Sequence, residues 1–182
     1  MIDMEAKITR QGTIEDIFAL PRGERAELLN GVVYYMAPPS RTHQRIVTEV
    51  SRKIGNFIEA HHGECEVNVS PFAVFLYDDD SAYVEPDVVV VCDSDKLRDD
   101  GCHGAPDLVI EVVSPSSITL DYMIKFGEYQ RAGVREYWIV DPSKSSVRVY
   151  NFSTGYTDDF SFSEEVKVGI FEGLAMTINE LL

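Results

Sequence analysis

The chain has 182 residues, 31 acidic and 16 basic, so its formal net charge is −15, and 45% of its residues are hydrophobic. This length can bury a sizeable core, and the hydrophobic fraction excludes a disordered chain, so we expect a single folded domain over residues 1–182. No stretch approaches the roughly 20 apolar residues of a membrane span. The opening MIDMEAKITRQG has an acid where a signal peptide carries positive charge. These features predict a cytoplasmic protein with no membrane partner.

The three cysteines are Cys65, Cys92 and Cys102. Their number is odd, and their spacing matches no Cys-x-x-Cys pair. Both facts argue against a disulfide framework and against a closed zinc site. We therefore expect three ordinary reduced thiols.

The distribution of charge bears on possible partners. A nucleic-acid-binding protein usually concentrates Lys and Arg into a footprint that neutralises phosphates, and this sequence shows no such footprint. Residues 78–100 instead carry nine acids against Lys96 and Arg98. Most of these acids are expected to form a solvated surface. A few could converge on a divalent metal, because hard cations prefer oxygen ligands.

The N-terminal part of the chain predicts a helix, a hairpin and a longer helix. Residues 13–20 are typical of a short capped helix. The pair Asn30-Gly31 stands between apolar runs and predicts a tight hairpin, since both residues tolerate positive φ. Apolar residues at positions 46–58 recur at spacings of three and four, which predicts an amphipathic helix ending near Ala60.

The remainder predicts a sheet with one more long helix. Continuous apolar, β-branched runs predict strands buried on both faces at 88–92, 108–113 and 134–141. Flanking segments predict an extended stretch at 65–76, a helix at 119–132, a strand at 145–152 beside 134–141, and a final strand or two with a short helix at 177–182. This order predicts a mixed α/β fold, with helices on a central mixed sheet and an N-terminal hairpin.

Two acids interrupt the buried runs, and a buried strand rarely tolerates an acid unless it is paired or liganded. Asp87 begins the first run and Glu111 lies inside the second. If the strands are neighbours, both carboxylates could hold Mg²⁺ or Mn²⁺, lower the pKa of a bound water and offset charge on a phosphoryl oxygen. The alternatives are a buried pairing of Glu111 with Arg or Lys, and an exposed turn position for Asp87.

The helix after Pro115 carries Asp121, Lys125 and Tyr129 at spacings of four, so the three residues share one slowly turning face. Lys125 could project its ammonium group toward the strand ends, where it could orient a water or stabilise charge on a phosphate. The alternative is an exposed salt bridge with Asp121.

Two further polar residues are candidates of a weaker kind. Asp107 precedes Glu111 by four residues, on the same strand face but about 13 Å away, which is too far to share a metal. We expect Asp107 to accept backbone hydrogen bonds where its strand begins. His43 stands at the start of the long helix, and a surface or capping role is expected for it.

Several separated segments together resemble the Uma-two (Uma2) family of restriction endonucleases, a group within the PD-(D/E)XK nuclease superfamily. The segments are ELLNGVVYYMAPPSRTH, SPFAVFL, EPDVVVV, GAPDLVIEVVSPSS, D-x-x-x-K-x-x-x-Y and AGVREYWIVDP. The resemblance covers roughly residues 25–151. It implies a restriction-endonuclease-like core, in agreement with the predicted order of elements.

The resemblance also assigns roles to individual residues. Asp87 matches the first metal carboxylate of the superfamily, and Glu111 matches the acid of the (D/E)-x-K element. The chain departs from this pattern at Val113, where a lysine would stand, and Lys125 is the candidate for a lysine displaced to the following helix. The backbone carbonyl of Val112 would be a further metal ligand.

The implied reaction is hydrolysis of a phosphodiester in nucleic acid, with Mg²⁺ or Mn²⁺ as cofactor. Glu27 and His43 also match family-like positions and could form an outer wall of the pocket. Asp107, Asp121 and Tyr129 complete the set of possible accessory residues.

Two other functions remain open from the sequence. One is a catalytically inactive nuclease-fold domain with a binding or regulatory role, which the charge of −15 and the displaced lysine favour. The other is a metal-dependent hydrolase acting on RNA, a nucleotide or structured DNA, which needs fewer phosphates neutralised. A homodimer is also predicted, through a hydrophobic edge at residues 147–150.

Overall fold

The computed structural model of the chain describes residues 10–115 and 117–182. The helices are α1 (Ile14–Phe18), α2 (Arg41–Ala60), α3 (Phe126–Ala132) and α4 (Ile178–Leu181), with a 3₁₀ turn at Ser94–Lys96 and a π-helix at Leu120–Lys125. The strands are β1 (Arg10–Gln11), β2 (Ala26–Leu29), β3 (Val32–Tyr35), β4 (Glu66–Val69), β5 (Val74–Phe75), β6 (Ala82–Val84), β7 (Val88–Val91), β8 (Leu97–Arg98), β9 (Gly101–His103), β10 (Leu108–Val112), β11 (Glu136–Asp141), β12 (Ser146–Asn151), β13 (Tyr156–Ser161), β14 (Val166–Lys167) and β15 (Ala175–Met176). The predicted mixed α/β class is confirmed.

Two large sheets and a two-stranded ribbon contain these strands. The six-stranded sheet has the order β13-β12-β11-β10-β7-β4, and the seven-stranded sheet has the order β1-β3-β2-β6-β5-β9-β8. In the first sheet β10 runs parallel to β11 and antiparallel to β7. The predicted extended stretch at 65–76 is divided between the two sheets, because β4 pairs with β7 whereas β5 pairs with β6 and β9.

The central strands β7, β10 and β11 are buried along their whole length. One face of the six-stranded sheet packs against α2 and the C-terminal strands, through residues that include Ile54, Trp138 and Phe162. The other face packs against the seven-stranded sheet and α3, through residues that include Val84, Val89 and Tyr129. Burial on both faces explains why these strands read as continuous apolar runs.

The hairpin between β2 and β3 forms at the predicted turn. Asn30 has φ 52° and Gly31 has φ 70°, and two consecutive positive φ values define the type I′ turn that matches the twist of paired strands. The hairpin brings all four residues of β2 into the interior. Glu27, the second residue of β2, is therefore buried.

Helix α2 begins after Ser40, whose hydroxyl accepts a hydrogen bond from the backbone N–H of His43 at 3.1 Å. Its buried face consists of Ile46, Val47, Val50, Ile54 and Ile58, which confirms the predicted amphipathic helix. Among the described residues, no helix is long and apolar enough to cross a membrane.

The expectation of three reduced thiols is wrong for two of the cysteines, because Cys65 and Cys92 form a disulfide. The β4–β7 register pairs Glu66 with Val91, so the next position along both strands brings the two cysteines directly opposite each other. Cys102 is a buried free thiol, and burial raises its pKa to about 11. Sequence spacing could not indicate a pairing that depends on strand register.

The predicted edge at residues 147–150 is not an edge. These residues belong to β12, which lies between β11 and β13. The edges of this sheet are β13 and β4. Pairing between subunits through residues 147–150 would therefore require the removal of β13.

We expect Gly101→Ala to lower the free energy of unfolding by about 1–3 kcal/mol, because a Cβ there would overlap the carbonyl oxygen of Ala73 and φ is +141°. The matched control is Gly127→Ala in α3, where a Cβ meets nothing within 4 Å and helix propensity favours alanine. Urea denaturation of both variants measures the difference. An equal effect at both positions would contradict this packing argument.

Candidate active site

Asp87 and Glu111 lie opposite each other on neighbouring strands. The β7–β10 register pairs Val88 with Ile110, and one further step along both strands brings Asp87 opposite Glu111. The N–H of Asp87 donates to Glu111 Oε2 at 3.4 Å. The N–H of Val112 donates to Asp87 Oδ2 at 2.8 Å. The structure thus brings the two acids that interrupt the buried runs to one end of the six-stranded sheet.

Lys125 lies at the centre of the site. Its Nζ is 2.8 Å from Glu111 Oε1 and 2.9 Å from Glu27 Oε1, and it is 3.7 Å from Asp121 Oδ1. Its side chain is only 4% exposed. The exposed salt bridge with Asp121, considered from the sequence, is therefore wrong, because both residues are buried.

A π-helix places the lysine there. The predicted single helix is instead a π-helix over Leu120–Lys125 that continues into α3. Hydrogen bonds from i to i+5 give a wider turn than in an α-helix, and such turns occur frequently at functional sites. Both Asp121 and Lys125 are buried on this wide turn. A sequence pattern of period 3.6 does not reveal this change of helix type.

Tyr129 and Glu27 complete the contacts of the buried lysine and Glu111. The hydroxyl of Tyr129 donates to Glu111 Oε1 at 2.8 Å. Glu27 comes from β2 of the other sheet, and its Oε1 also accepts the backbone N–H of Glu85 at 3.0 Å. The site therefore lies where the two large sheets and the π-helix meet.

His43 contacts the same cluster from α2. Its Nε2 is 3.1 Å from Asp87 Oδ2, and its side chain is only 12% exposed. The backbone of His43 takes part in capping, as expected, but its side chain is not a surface group. Burial alone would lower the pKa of His43, but the hydrogen bond and the charge of Asp87 outweigh burial, so the pKa is raised.

Negative charge is in excess at this site. The carboxylates of Glu27, Glu111 and Asp121 lie within 4 Å of the ammonium group of Lys125, and Asp87 lies beside His43. Burial raises the pKa of Glu111 well above its usual value, although Lys125 opposes the shift. Burial likewise raises the pKa of Asp121 to about 6. An excess of buried negative charge is the environment that a bound cation would relieve.

The pKa of Lys125 is raised well above its usual value. Burial alone would lower this pKa, but the charges of Glu111, Glu27 and Asp121 outweigh burial. Lys125 is therefore an ammonium group at neutral pH. It can act as a fixed positive charge and hydrogen-bond donor, and it is not suited to accept a proton.

Asp107 lies outside this cluster. Its Oδ2 accepts the backbone N–H of Cys92 at 2.7 Å, and its Oδ1 is 3.0 Å from a guanidinium nitrogen of Arg135. The expectation of backbone hydrogen bonds at the strand start is confirmed. Asp107 stands at the opposite end of β10 from Glu111, so it does not take part in the site.

Sequence reasoning missed the role of Glu85, which belonged to the segment expected to be mostly solvated. Glu85 is buried, accepts the hydroxyl of Tyr83 at 2.8 Å and pairs with the guanidinium of Arg25. Arg25 also donates to the hydroxyl of Ser70. The available signal was the position of Glu85 directly after the buried strand β6, two residues before Asp87.

The donor set fits a divalent cation of the Mg²⁺ type. Within residues 10–115 and 117–182, no group of three or more His, Cys, Asp and Glu side chains is arranged to hold a metal ion. Mg²⁺ does not require such a group, because it is usually bound by one or two carboxylates and keeps several waters. Asp87 and Glu111 supply two carboxylates in hydrogen-bond contact with each other's strands, so the residues present fit this class of site.

A family model described as "Putative restriction endonuclease", Uma2, matches residues 14–179. The chain belongs to the Uma2 family. The match extends beyond the segments on which the resemblance was based, to include α1 and the first two residues of α4. It therefore covers all the elements that build the site.

The chain is also similar to two proteins from Synechocystis sp. strain PCC 6803, both described as uncharacterized. The chain is 29% identical to the uncharacterized protein sll1609 over 121 residues, covering 65% of this chain and 67% of the relative. It is 28% identical to the uncharacterized protein slr1290 over 129 residues, covering 70% of this chain and 66% of the relative. The chain thus spans about two thirds of the length of each relative.

A crystal structure from Anabaena variabilis has the same fold. It is described as a putative nuclease belonging to DUF820, and it superposes with a TM-score of 0.76 at 21% sequence identity. The superposition covers 93% of this chain and 96% of the other. Because the sequence identity is only 21%, the superposition establishes the fold of this Uma2 chain alone.

We expect Lys125→Met to lower the free energy of unfolding by about 3–5 kcal/mol in the absence of divalent cations, because it leaves buried carboxylates without a counter-charge. The double variant Lys125→Met/Glu111→Gln should recover part of this loss. Arg52→Met, which removes an exposed ion pair with Glu49 on α2, is the control and should change stability little. Urea denaturation provides the measurement. Equal losses for Lys125→Met and Arg52→Met would contradict the buried-charge argument.

Proposed function

We propose that this Uma2 protein is a metal-dependent nuclease that hydrolyses phosphodiester bonds in nucleic acid. One observation carries the proposal: Asp87 and Glu111 meet at the end of two buried strands, and Lys125 bonds to Glu111 from the following helix. Two carboxylates and a fixed ammonium group in one place can hold a cation and stabilise a charged phosphorus centre. The family description and the description of the Anabaena protein as a nuclease support the same reaction.

Asp87 and Glu111 would hold Mg²⁺ or Mn²⁺, together with the backbone carbonyl of Val112. When bound, the cation would lower the pKa of a water and offset charge on a phosphoryl oxygen. The N–H of Val112 already fixes one oxygen of Asp87, so this carboxylate is oriented before any ligand arrives. The excess of carboxylates over cations at the site favours binding of a divalent cation.

Lys125 would position the attacking water or stabilise the pentavalent phosphorus. Its Nζ is 2.8 Å from Glu111 Oε1 and 2.9 Å from each carboxylate oxygen of Glu27. The raised pKa keeps the group charged, so Lys125 would act on a water or a phosphate oxygen as a fixed positive charge. A hydrogen bond from Lys125 to either would replace one of its contacts with Glu27.

The neighbouring side chains would act by orientation. Glu27 and Tyr129 hold Lys125 and Glu111 in place through hydrogen bonds of 2.9 and 2.8 Å. His43 would hold Asp87 from α2, and Asp121 adds negative charge beside the lysine. These four residues are positioning residues in this proposal.

The cytoplasmic location and the homodimer stay predictions. The Cys65–Cys92 disulfide weighs against a permanently reducing compartment, because disulfides in such compartments are rare and mostly redox-active.

Of the two edges of the six-stranded sheet, β4 carries the exposed apolar Val69 and β13 carries two exposed acids. A dimer formed by sheet pairing would therefore use β4 more readily than β13.

We expect the wild type to cleave labelled single-stranded DNA or RNA, or supercoiled plasmid, in Mg²⁺ or Mn²⁺. Asp87→Asn, Glu111→Gln and Lys125→Met should each lose at least about 100-fold in rate, because each removes a charge that faces the reacting phosphate. Gel analysis of the products measures the rates and identifies the preferred substrate.

The matched control for this experiment is Asp107→Asn, which changes a carboxylate on the same strand outside the cluster and should retain most of the activity. Circular dichroism of each variant verifies folding. If the wild type and all variants are equally inert or equally active, the proposed nuclease activity is wrong or the cleavage comes from a contaminant.

Measuring Mn²⁺ binding distinguishes a metal-dependent nuclease site from the site of an inactive nuclease-fold domain. We expect the wild type to bind Mn²⁺ in calorimetric titrations, and we expect Asp87→Asn and Glu111→Gln to weaken binding at least about tenfold. Asp107→Asn should bind as the wild type does. A wild type that binds no Mn²⁺ would favour the alternative of an inactive nuclease-fold domain, which the net charge of −15 supports.

A further inference from the structure

The solvent-facing side of α2 carries two unpaired arginines on the same helical turns as His43. Arg41 and Arg45 are exposed, and neither forms an ion pair with a residue in 10–115 or 117–182. Most other arginines of the described chain are paired with carboxylates, as in the pairs of Arg25 with Glu85 and Arg148 with Asp159. Two free arginines close together are unusual in a protein with so many acids.

These arginines occupy the same helical turns as the residue that touches Asp87. They are four positions apart, so their Cβ atoms are about 5–6 Å apart on one face. His43 lies between them in sequence and faces the opposite, buried side, where its Nε2 is 3.1 Å from Asp87 Oδ2. Each arginine is two residues from His43, or about 3 Å along the helix axis.

The segment around these arginines carries no acid until Glu49, which lies one helical turn beyond Arg45 and pairs with Arg52. From Leu28 to Thr48 the sequence has no Asp or Glu, although the whole chain has a charge of −15. The first turn of α2 also contains no acid. The N–H of His43 is capped by Ser40, but the aligned peptide dipoles of α2 still give that end of the helix a partial positive charge. The arginines and the helix end together form the positive surface that the amino-acid sequence did not reveal as a footprint.

Folding does not explain this arrangement. A cation in the first turn of a helix opposes the helix dipole, so Arg41 costs stability where an acid would contribute it. A negatively charged ligand on this surface would turn the unfavourable arrangement into a favourable one. Phosphate groups meet this requirement, because guanidinium groups and helix N-termini both bind them.

We propose that Arg41 and Arg45 bind backbone phosphates of a single strand of nucleic acid along the outer face of α2, opposite the face on which His43 contacts Asp87. This inference rests on the proposed nuclease function and names its substrate as single-stranded. Two arginines neutralise about two phosphates, which suits one strand, whose charges are spaced more widely than those of a duplex. The acidic remainder of the protein repels a second strand.

Fluorescence anisotropy with short labelled DNA and RNA, single-stranded and duplex, measures binding without divalent cations. The wild type should bind single strands more tightly than duplexes of the same length. Arg41→Ala/Arg45→Ala should weaken binding to single strands about tenfold at low salt. It should also flatten the slope of log K against log salt by about 1.4, because each phosphate contact on a single strand contributes about 0.7.

The matched control is Arg98→Ala/Lys167→Ala, which removes the same charge elsewhere. Arg98 lies on β8, the last strand of the seven-stranded sheet, and Lys167 lies on β14 of the C-terminal ribbon. This control should bind as the wild type does. Because Arg41 opposes the helix dipole, the α2 variant should melt at the same temperature as the wild type or higher, which separates lost binding from lost folding.

Three results would overturn the inference: unchanged binding by the α2 variant, equal weakening by both double variants, or tighter binding of duplexes than of single strands. Cleavage is scored separately in Mg²⁺ and Mn²⁺. A wild type that binds through the arginines but cuts nothing refutes the nuclease function and retains the phosphate surface. A wild type that cuts, with an α2 variant that binds and cuts equally well, retains the nuclease function and refutes the phosphate surface.

Discussion

The excess of buried negative charge around Lys125 is the constraint on which the rest of the site depends. Burying one ammonium and several carboxylates costs desolvation free energy that only close, well-oriented pairing offsets. The contacts of Lys125 with Glu111 and Glu27 therefore have to be short, and both carboxylates receive further hydrogen bonds, from Tyr129 and from the N–H of Glu85. Even so, the carboxylates outnumber the cations. The pairing is therefore sufficient for the site to form, but part of its negative charge remains uncompensated.

Meeting that constraint requires three parts of the fold at one point. Glu27 belongs to the seven-stranded sheet, Asp87 and Glu111 to the six-stranded sheet, and Lys125 to the π-helix that packs between them. A shift of one residue in the β7–β10 register would turn Glu111 to the other face of its sheet. The widened turn of the π-helix has a corresponding role, since it buries Asp121 and Lys125 together. Register and helix type therefore determine the chemistry as much as residue identity does.

Net charge is a poor guide to partners in this molecule because its charges are segregated. The chain carries −15 overall, yet the N-terminal turns of α2 present arginines and no acid on the helix face opposite His43. A local field near the reacting group governs the approach of a phosphate more strongly than distant acids, whose effect salt screens within about 10 Å. An acidic protein can therefore act on nucleic acid if it needs few phosphate contacts. Such a protein would discriminate against partners of high charge density.

The amino-acid sequence determined the local elements and the identity of the main site residues. Asn30-Gly31 specified its hairpin through backbone conformation, the continuous apolar runs specified buried strands, and an acid inside such a run marked Glu111, because each of these signals is local. The tertiary structure decided what depends on contacts between distant segments. It paired Cys65 with Cys92 through strand register, buried Glu85 against Arg25, removed residues 147–150 from the sheet edge, and directed His43 inward while Arg41 and Arg45 face outward. Charge and spacing in one dimension cannot encode these outcomes, since each depends on which strands and helices become neighbours.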